Sequence, residues 1–191
     1  MGVTQDPNTK DYMMVLMYYK GGNLSDYLNQ SENYIYCQAK IHHLSQIARG
    51  LLAIHNAKKV HKDLHPGNIL FGSFEYSYIS DLGMCQPANN KAKKVVYGVL
   101  PYMAPEVLCG SQYTKAADIC SFGIIMNELM SEEAPYNDIP HDHILAVKIC
   151  KGLRPKISED TPKLLADLII KCWDAKAENR PTAKELNQNI T

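Results

Sequence analysis

The chain has 191 residues, of which 46% are hydrophobic, and its 20 Lys and Arg residues are balanced by 20 Asp and Glu residues. This length and apolar content predict a single globular domain and exclude a largely disordered chain. The formal net charge of zero argues against nucleic acid or an anionic membrane as the principal partner, because both select for a basic surface. The longest apolar run, residues 12–19, is too short to cross a bilayer.

The cysteines form no C-x-x-C pair, and their spacing matches no zinc-binding pattern. We therefore expect free thiols, the usual state of cysteine in a reducing compartment, and a cytoplasmic location. The residues concerned are Cys37, Cys85, Cys109, Cys120, Cys150 and Cys172.

In the N-terminal part, the apolar run over residues 12–19 predicts a fully buried strand that ends at Gly21 and Gly22. A short helix is predicted to begin at Asp26. From about residue 36 to residue 56 the apolar residues recur at helical spacing, which predicts a long amphipathic helix.

The residue pattern changes after residue 58. Residues 59–83 carry short apolar pairs between turn residues, a pattern typical of brief hairpin strands around an irregular loop. Residues 84–101 show no clear period and contain three lysines, so we expect a mobile loop there.

The C-terminal half predicts helices only. Residues 115–131 are apolar almost all round, which is typical of a buried central helix. Thr161 and Pro162 predict a helix start, with Thr161 as the cap, and this helix is expected to run to about residue 173. Thr182 and Glu185 have the spacing of a capping box that opens a final helix. The fold class is therefore expected to be mainly α.

The segment most informative about chemistry is residues 61–68, HKDLHPGN. It places Asp63 and Asn68 five positions apart on one loop. A carboxylate there can orient an attacking hydroxyl and accept its proton, while an amide oxygen can bind a magnesium ion that bridges phosphates. Asp81, thirteen residues after Asn68, can supply a second metal ligand from a turn.

These residues belong to an ordered series of motifs that resembles the catalytic core of the eukaryotic protein kinases. The series continues with D-L-G at 81–83, A-P-E at 104–106 and D-I-C-S-F-G at 118–123. C-W-D at 172–174 and N-R-P-T at 179–182 are similar to the ending found in the tyrosine-kinase-like group. The resemblance covers essentially the whole chain.

The resemblance implies the helical large lobe of a protein kinase, within an α+β family, with a short β hairpin around the catalytic loop. Residues 1–19 are expected to be the end of the small lobe and the hinge, with one or two residual strands. Residues 20–191 are expected to form the large lobe.

The resemblance also implies residue roles in ATP-dependent phosphoryl transfer to protein hydroxyls. Asp63 would be the base that positions the substrate hydroxyl, and Asn68 and Asp81 would bind Mg. His61 and Asp118 would brace the backbone of the catalytic loop.

Further roles concern the adenine pocket and the lobe's framework. Leu16 falls at the gatekeeper position, Met17 and Tyr19 fall in the hinge, and Leu70 would form the floor of the adenine pocket. The resemblance also implies a buried ion pair between Glu106 and Arg180.

Departures from the family pattern bear on substrate choice. His65 stands where serine/threonine kinases place a Lys near the transferred phosphate, and Val99 replaces the threonine that meets this Lys. A histidine is mostly neutral at pH 7, so its help to the phosphate is reduced. Tyr102, where tyrosine kinases prefer Trp, favours serine and threonine over tyrosine. Lys62 replaces the family's Arg, which keeps the charge but loses the planar fork.

Other kinase parts are missing before residue 11: a Gly-rich loop, a V-A-I-K strand and a helix Glu. We therefore expect a truncated domain that is a poor enzyme alone. An apolar strand over 12–19 without its pairing neighbours is expected to promote oligomers or dependence on a partner.

Two alternatives accompany the kinase interpretation. The first is a pseudokinase-like module that binds partners without catalysis. The second is a small-molecule phosphotransferase of the aminoglycoside kind, which shares D-L-H-P-G-N but lacks the A-P-E and Arg-Pro motifs found here.

Overall fold

The computed structural model describes residues 2–29, 36–71, 76–88 and 97–190. Within these ranges helices dominate, as the sequence predicts. The helices are α1 (Leu24–Leu28), α2 (Cys37–Asn56), α3 (Pro105–Leu108), α4 (Lys115–Ser131), α5 (His143–Cys150), α6 (Lys163–Cys172) and α7 (Ala183–Asn189).

The strands are short, and those described pair in three antiparallel two-stranded sheets. The first pairs β1 (Gly2–Gln5) with β2 (Tyr12–Val15). The second pairs β3 (Lys59–Val60) with β6 (Gln86–Pro87), and the third pairs β4 (Ile69–Phe71) with β5 (Ser77–Ile79). The last two sheets bracket the loop 61–68, so the predicted hairpin strands around an irregular loop are confirmed.

The central helix α4 is buried along most of its length, as predicted. It packs against α2 on one side and α6 on the other. A Cβ built at Gly123 would lie 2.6 Å from the Cβ of Cys172, so the close approach of α4 and α6 requires glycine at this position. The amphipathic helix α2 buries Leu44, Ile47 and Leu51 in the same core.

The prediction of a buried strand over residues 12–19 is wrong. The strand covers only Tyr12–Val15, and each of its residues is exposed. Leu16 and Met17 follow it and are each 63% exposed. The apolar composition suggested burial, but within the described residues the strand has only β1 beside it, and a two-stranded hairpin has no second layer to cover its faces.

The two predicted helix starts have different outcomes. The capping box is confirmed, since Glu185 Oε2 accepts from the Thr182 amide at 2.7 Å and Thr182 Oγ1 accepts from the Glu185 amide at 3.2 Å. Thr161 is not the cap of α6. Pro162 occupies the N-cap without a side-chain hydrogen bond, and Thr161 Oγ1 is buried without a partner in the described structure.

Among its described residues, the segment predicted as a mobile loop over 84–101 contains short regular elements. Gln86–Pro87 forms β6, and Leu100–Tyr102 forms a 3₁₀ turn. Residues 89–96 of that prediction lie outside the described residues.

The predicted ion pair between Glu106 and Arg180 is confirmed. Both guanidinium nitrogens of Arg180 donate to the Glu106 carboxylate, each at 2.7 Å. The Arg180 side chain is fully buried and also donates to the carbonyl oxygens of Ala116 and Asp174, each at 2.9 Å. One side chain therefore connects α3, the start of α4 and the segment before α7.

Replacing Arg180 with Leu should lower the free energy of unfolding by about 3–5 kcal/mol, because it leaves the Glu106 carboxylate without its partner. The matched control is Arg49→Leu, because Arg49 is exposed and bonds only Gln46 among the hydrogen bonds seen at its side chain. That change should stay within about 0.5 kcal/mol. Urea unfolding measures both, and equal small effects would refute the structural role of the pair.

Candidate active site

The loop 61–68 is held at its start by a single buried carboxylate on α4. Asp118 accepts from the backbone amides of His61 at 2.8 Å and Lys62 at 3.0 Å, and it bonds His55 Nε2 at 2.9 Å. It is only 1% exposed. A buried carboxylate is tolerated when donors surround it, and here those donors are two amides of the loop and the His55 ring of α2.

His61 connects this loop to β5. Its Nδ1 accepts from the Asp63 amide at 3.3 Å, so Nε2 carries the proton and donates to the Ser80 carbonyl oxygen at 3.0 Å. Lys62, between these residues, adopts a left-handed conformation with φ of 75°. Two anchored neighbours hold it in this disfavoured conformation. The expected bracing role of His61 and Asp118 agrees with this geometry.

Asp63 and Asn68 are brought together by this loop. The Asn68 amide nitrogen donates to the Asp63 carbonyl oxygen at 2.8 Å and lies 3.4 Å from its carboxylate oxygen Oδ2. Because the nitrogen is used internally, the amide oxygen is the atom left to serve as a ligand. The 3₁₀ turn Pro66–Asn68 positions this side chain directly before β4.

Asp81 is placed beside Asn68 by the β4–β5 hairpin. Ile69 pairs with Ile79, and Ser80 donates from its amide at 2.8 Å and its hydroxyl at 3.0 Å to the Asn68 carbonyl oxygen. Asp81 follows in a left-handed conformation with φ of 52°, and its carboxylate accepts from the Gly83 amide. Asp81 is exposed, so its carboxylate is accessible.

His65 lies on the same face of the loop. Its Nε2 is 3.7 Å from Asp63 Oδ2. Burial lowers the pKa of His65 from its usual value, and the nearby Asp63 carboxylate only partly opposes this effect. The imidazole is therefore neutral at physiological pH.

The opposite wall comes from the segment that precedes α3. A Cβ at Gly98 would lie 3.7 Å from Asp63 Oδ1, and Val99 and Tyr113 line the same cleft. Tyr102 donates to Glu128 Oε2 at 2.7 Å, and burial raises the pKa of Glu128 to about 7.

Sequence reasoning missed two contacts of Lys62. Its Nζ donates to Gln86 Oε1 at 2.5 Å and lies 5.8 Å from the centre of the Tyr113 ring. Gln86 lies 24 positions and Tyr113 lies 51 positions from Lys62 in the sequence, so no local pattern could reveal these contacts.

The residues assigned to the adenine side are less closely assembled. Leu70 is half-buried in β4 and pairs with Asn23. The rings of Tyr19 and Tyr78, the latter in β5, have centroids 5.0 Å apart and are tilted by 42°. Leu16 and Met17 are exposed and belong to the segment after β2.

The donor set fits magnesium better than a transition metal. Within the described residues, no group of three His, Cys, Asp or Glu side chains could hold a metal ion. Asn68 and Asp81 instead offer one amide and one carboxylate, both hard oxygen donors. Magnesium is commonly held by one or two such ligands, with phosphate oxygens and water completing its shell.

Comparison with known proteins identifies the family. The sequence profile for the family described as protein tyrosine and serine/threonine kinase matches residues 1–190. The chain belongs to this family. In this kinase domain the loop 61–68 carries the H-x-D-x-x-x-x-N pattern, and α3 begins within the A-P-E motif.

Individual relatives agree with the family. The kinase domain is 32% identical to the serine/threonine-protein kinase pakC of Dictyostelium discoideum over 94% of its length. It is 29% identical to a protein kinase and PP2C-like domain-containing protein of Arabidopsis thaliana over 91% of its length. It is also 27% identical to the tyrosine-protein kinase SPK-1 of Girardia tigrina over its whole length.

The kinase domain spans only part of these relatives: 38% of the Dictyostelium protein, 32% of the Arabidopsis protein and 40% of the Girardia protein. In the described part of the kinase domain, no helix has both the length and the apolar composition required to cross a membrane.

Proposed function

We propose that this kinase domain catalyses ATP-dependent phosphoryl transfer to protein hydroxyls, with serine and threonine preferred over tyrosine, in the cytoplasm. The observation that carries the proposal is the Asp63–Asn68 pair, joined by hydrogen bonds on a loop that α4 holds through Asp118. Positioning accounts for most of the catalysis in phosphoryl transfer, so a rigid loop is what the reaction requires.

The proposed roles follow from the atoms available. The Asp63 carboxylate orients the substrate hydroxyl and receives its proton. The Asn68 amide oxygen and the Asp81 carboxylate hold magnesium, which supplies charge neutralisation between the phosphates when bound. Leu70 and Tyr19 contact the adenine, with Leu16 and Met17 in the preceding segment.

The preference for serine and threonine rests on the residues facing Asp63. Tyr102 lines the same cleft as Asp63, at the position where tyrosine kinases prefer Trp. Its hydroxyl donates a hydrogen bond to Glu128. The relatives include proteins named for both specificities, and the Dictyostelium relative is named a serine/threonine kinase.

A second candidate function is a pseudokinase-like module that binds partners without catalysis. The observation that favours it is the exposed apolar segment formed by β2, Leu16 and Met17. Such a surface is typical of a docking site for another chain.

Activity of an Asp63→Asn variant tests the proposal. Phosphate transfer from ATP to peptides with Ser, Thr or Tyr as the sole hydroxyl should fall about 10²–10⁴-fold in kcat, while the affinity for magnesium-ADP is retained. The matched control is Asp138→Asn, because Asp138 is exposed and outside the catalytic loop. Equal, detectable activity of both variants would refute the catalytic proposal. Weak transfer is the result expected of a truncated domain, and complete absence of transfer by the unchanged protein favours the binding module.

His65→Lys should raise the rate of transfer. A lysine ammonium is charged at about pH 7.5, whereas the pKa of His65 lies below its usual value of about 6.5, so His65 itself is neutral there. A charged hydrogen bond to the transferred phosphate is worth roughly tenfold or more in kcat.

The pH profile distinguishes this effect from a change in folding. The advantage of His65→Lys should shrink as the pH falls below the lowered pKa of His65, where His65 in the unchanged protein gains its own proton. Val99→Thr in the His65→Lys background should add to the gain, and Val99→Thr alone should not. A variant that is slower at every pH would contradict the role given to residue 65.

A further inference from the structure

Two exposed cysteines lie next to each other where α3 and α5 end. Cys109 is the residue that directly follows α3, and Cys150 is the last residue of α5. Their Sγ atoms are 3.1 Å apart, although the residues are separated by 41 positions. Both side chains are exposed, so an oxidant in solution can reach them.

The other four cysteines provide a comparison within the same chain. Cys120 and Cys172 are buried, and Cys85 is half-buried. Cys37 is exposed, but no thiol contact is seen at its side chain. The pair at 109 and 150 thus combines solvent access with a neighbouring thiol.

Both cysteines contact the same backbone oxygen, that of Pro105. The Cys109 amide donates to the Pro105 carbonyl oxygen at 2.9 Å, and Cys150 Sγ lies 3.6 Å from the same oxygen. The helices α3 and α5 pack against each other. A disulfide has a sulfur separation of roughly 2.05 Å, so a side-chain rotation that brings the sulfurs about 1 Å closer forms the bond.

We propose that Cys109 and Cys150 are an oxidation site at which a peroxide forms an intramolecular disulfide between the end of α3 and the end of α5. This site is independent of the proposed phosphoryl transfer, because neither thiol belongs to the catalytic loop.

The chemistry balances with hydrogen peroxide as the oxidant. The Cys109 thiolate attacks one peroxide oxygen, the O–O bond breaks, and Cys109 becomes a sulfenic acid with release of water after proton uptake. The Cys150 sulfur then attacks Cys109 Sγ, the S–O bond breaks, and a second water leaves with the Cys150 proton. In total, two thiols and one hydrogen peroxide give one disulfide and two waters.

The order of the two steps follows from the surroundings of the thiols. Burial, and after it the contact with the neighbouring Cys109 thiol, raises the pKa of Cys150 to about 11. Cys150 therefore keeps its proton at neutral pH, and Cys109 is the thiol that meets the oxidant first.

The bridge would act on the framework of the lobe. It closes a loop that contains the whole of α4, and it fixes α3, whose Glu106 already bonds Arg180. Closing a loop of this length restricts the unfolded chain, so Tm should rise by roughly 5–10 °C on oxidation and return on reduction.

Thiol counting and peptide mapping after peroxide treatment test the proposal. The purified protein is treated with hydrogen peroxide, unfolded and titrated for free thiols. The count should fall from six to four, and proteolysis should release the Cys109 peptide joined to the Cys150 peptide. Cys37→Ser serves as the matched control, and its count should fall from five to three with the same joined peptides and the same rise in Tm.

Single variants make the test decisive. Cys109→Ser and Cys150→Ser should give no joined peptide and no rise in Tm with peroxide, while their reduced forms match the unchanged protein in Tm. A count that stays at six, joined peptides that involve another cysteine, or a bridge between two copies of the chain would overturn the proposal.

Discussion

The Asp118 carboxylate is the constraint on which the rest of the candidate site depends. Three donors converge on it from parts of the chain 56 to 63 residues away: His55, and the amides of His61 and Lys62. Because α4 is buried between α2 and α6, this carboxylate has a fixed position from which to hold the loop. The arrangement of Asp63 and Asn68, and through Ser80 that of Asp81, follows from this attachment.

A second attachment, between Glu106 and Arg180, fixes the wall opposite the loop 61–68. Glu106 lies at the end of the segment that contains Val99 and Tyr102, and this segment passes beside Asp63. The two attachments share α4, since Asp118 lies in its first turn and Arg180 bonds the carbonyl oxygen of Ala116. The candidate site is therefore a cleft between two loops that one buried helix connects.

Much of this arrangement could be predicted from the sequence, because it depends on local patterns. Apolar periodicity located α2 and α4, and the spacing of Thr182 and Glu185 located the start of α7. The order of motifs indicated Asp63, Asn68 and Asp81 as candidate site residues. Burial over residues 12–19 was predicted wrongly because it depends on neighbouring layers, which composition does not report.

Contacts between distant residues could not be predicted in the same way. Nothing near His55 in sequence indicates that it bonds Asp118, and nothing near Cys109 indicates that Cys150 lies 3.1 Å away. The start of α5 could have been predicted from Asp142, an N-cap residue type. Its side chain accepts hydrogen bonds from the amides of Ile144 and Leu145. The eight residues of α5 are too few for periodicity to locate this helix.

Amide hydrogen exchange of residues 61–68 in an Asp118→Asn variant tests whether the Asp118 carboxylate holds this loop. Asparagine keeps the size of the side chain but replaces one acceptor oxygen with a donor that faces the loop amides. Exchange in this segment should be at least about tenfold faster than in the unchanged protein, with unchanged protection in α6 as the internal control. Unchanged protection of residues 61–68 in a folded Asp118→Asn protein would contradict this role of Asp118.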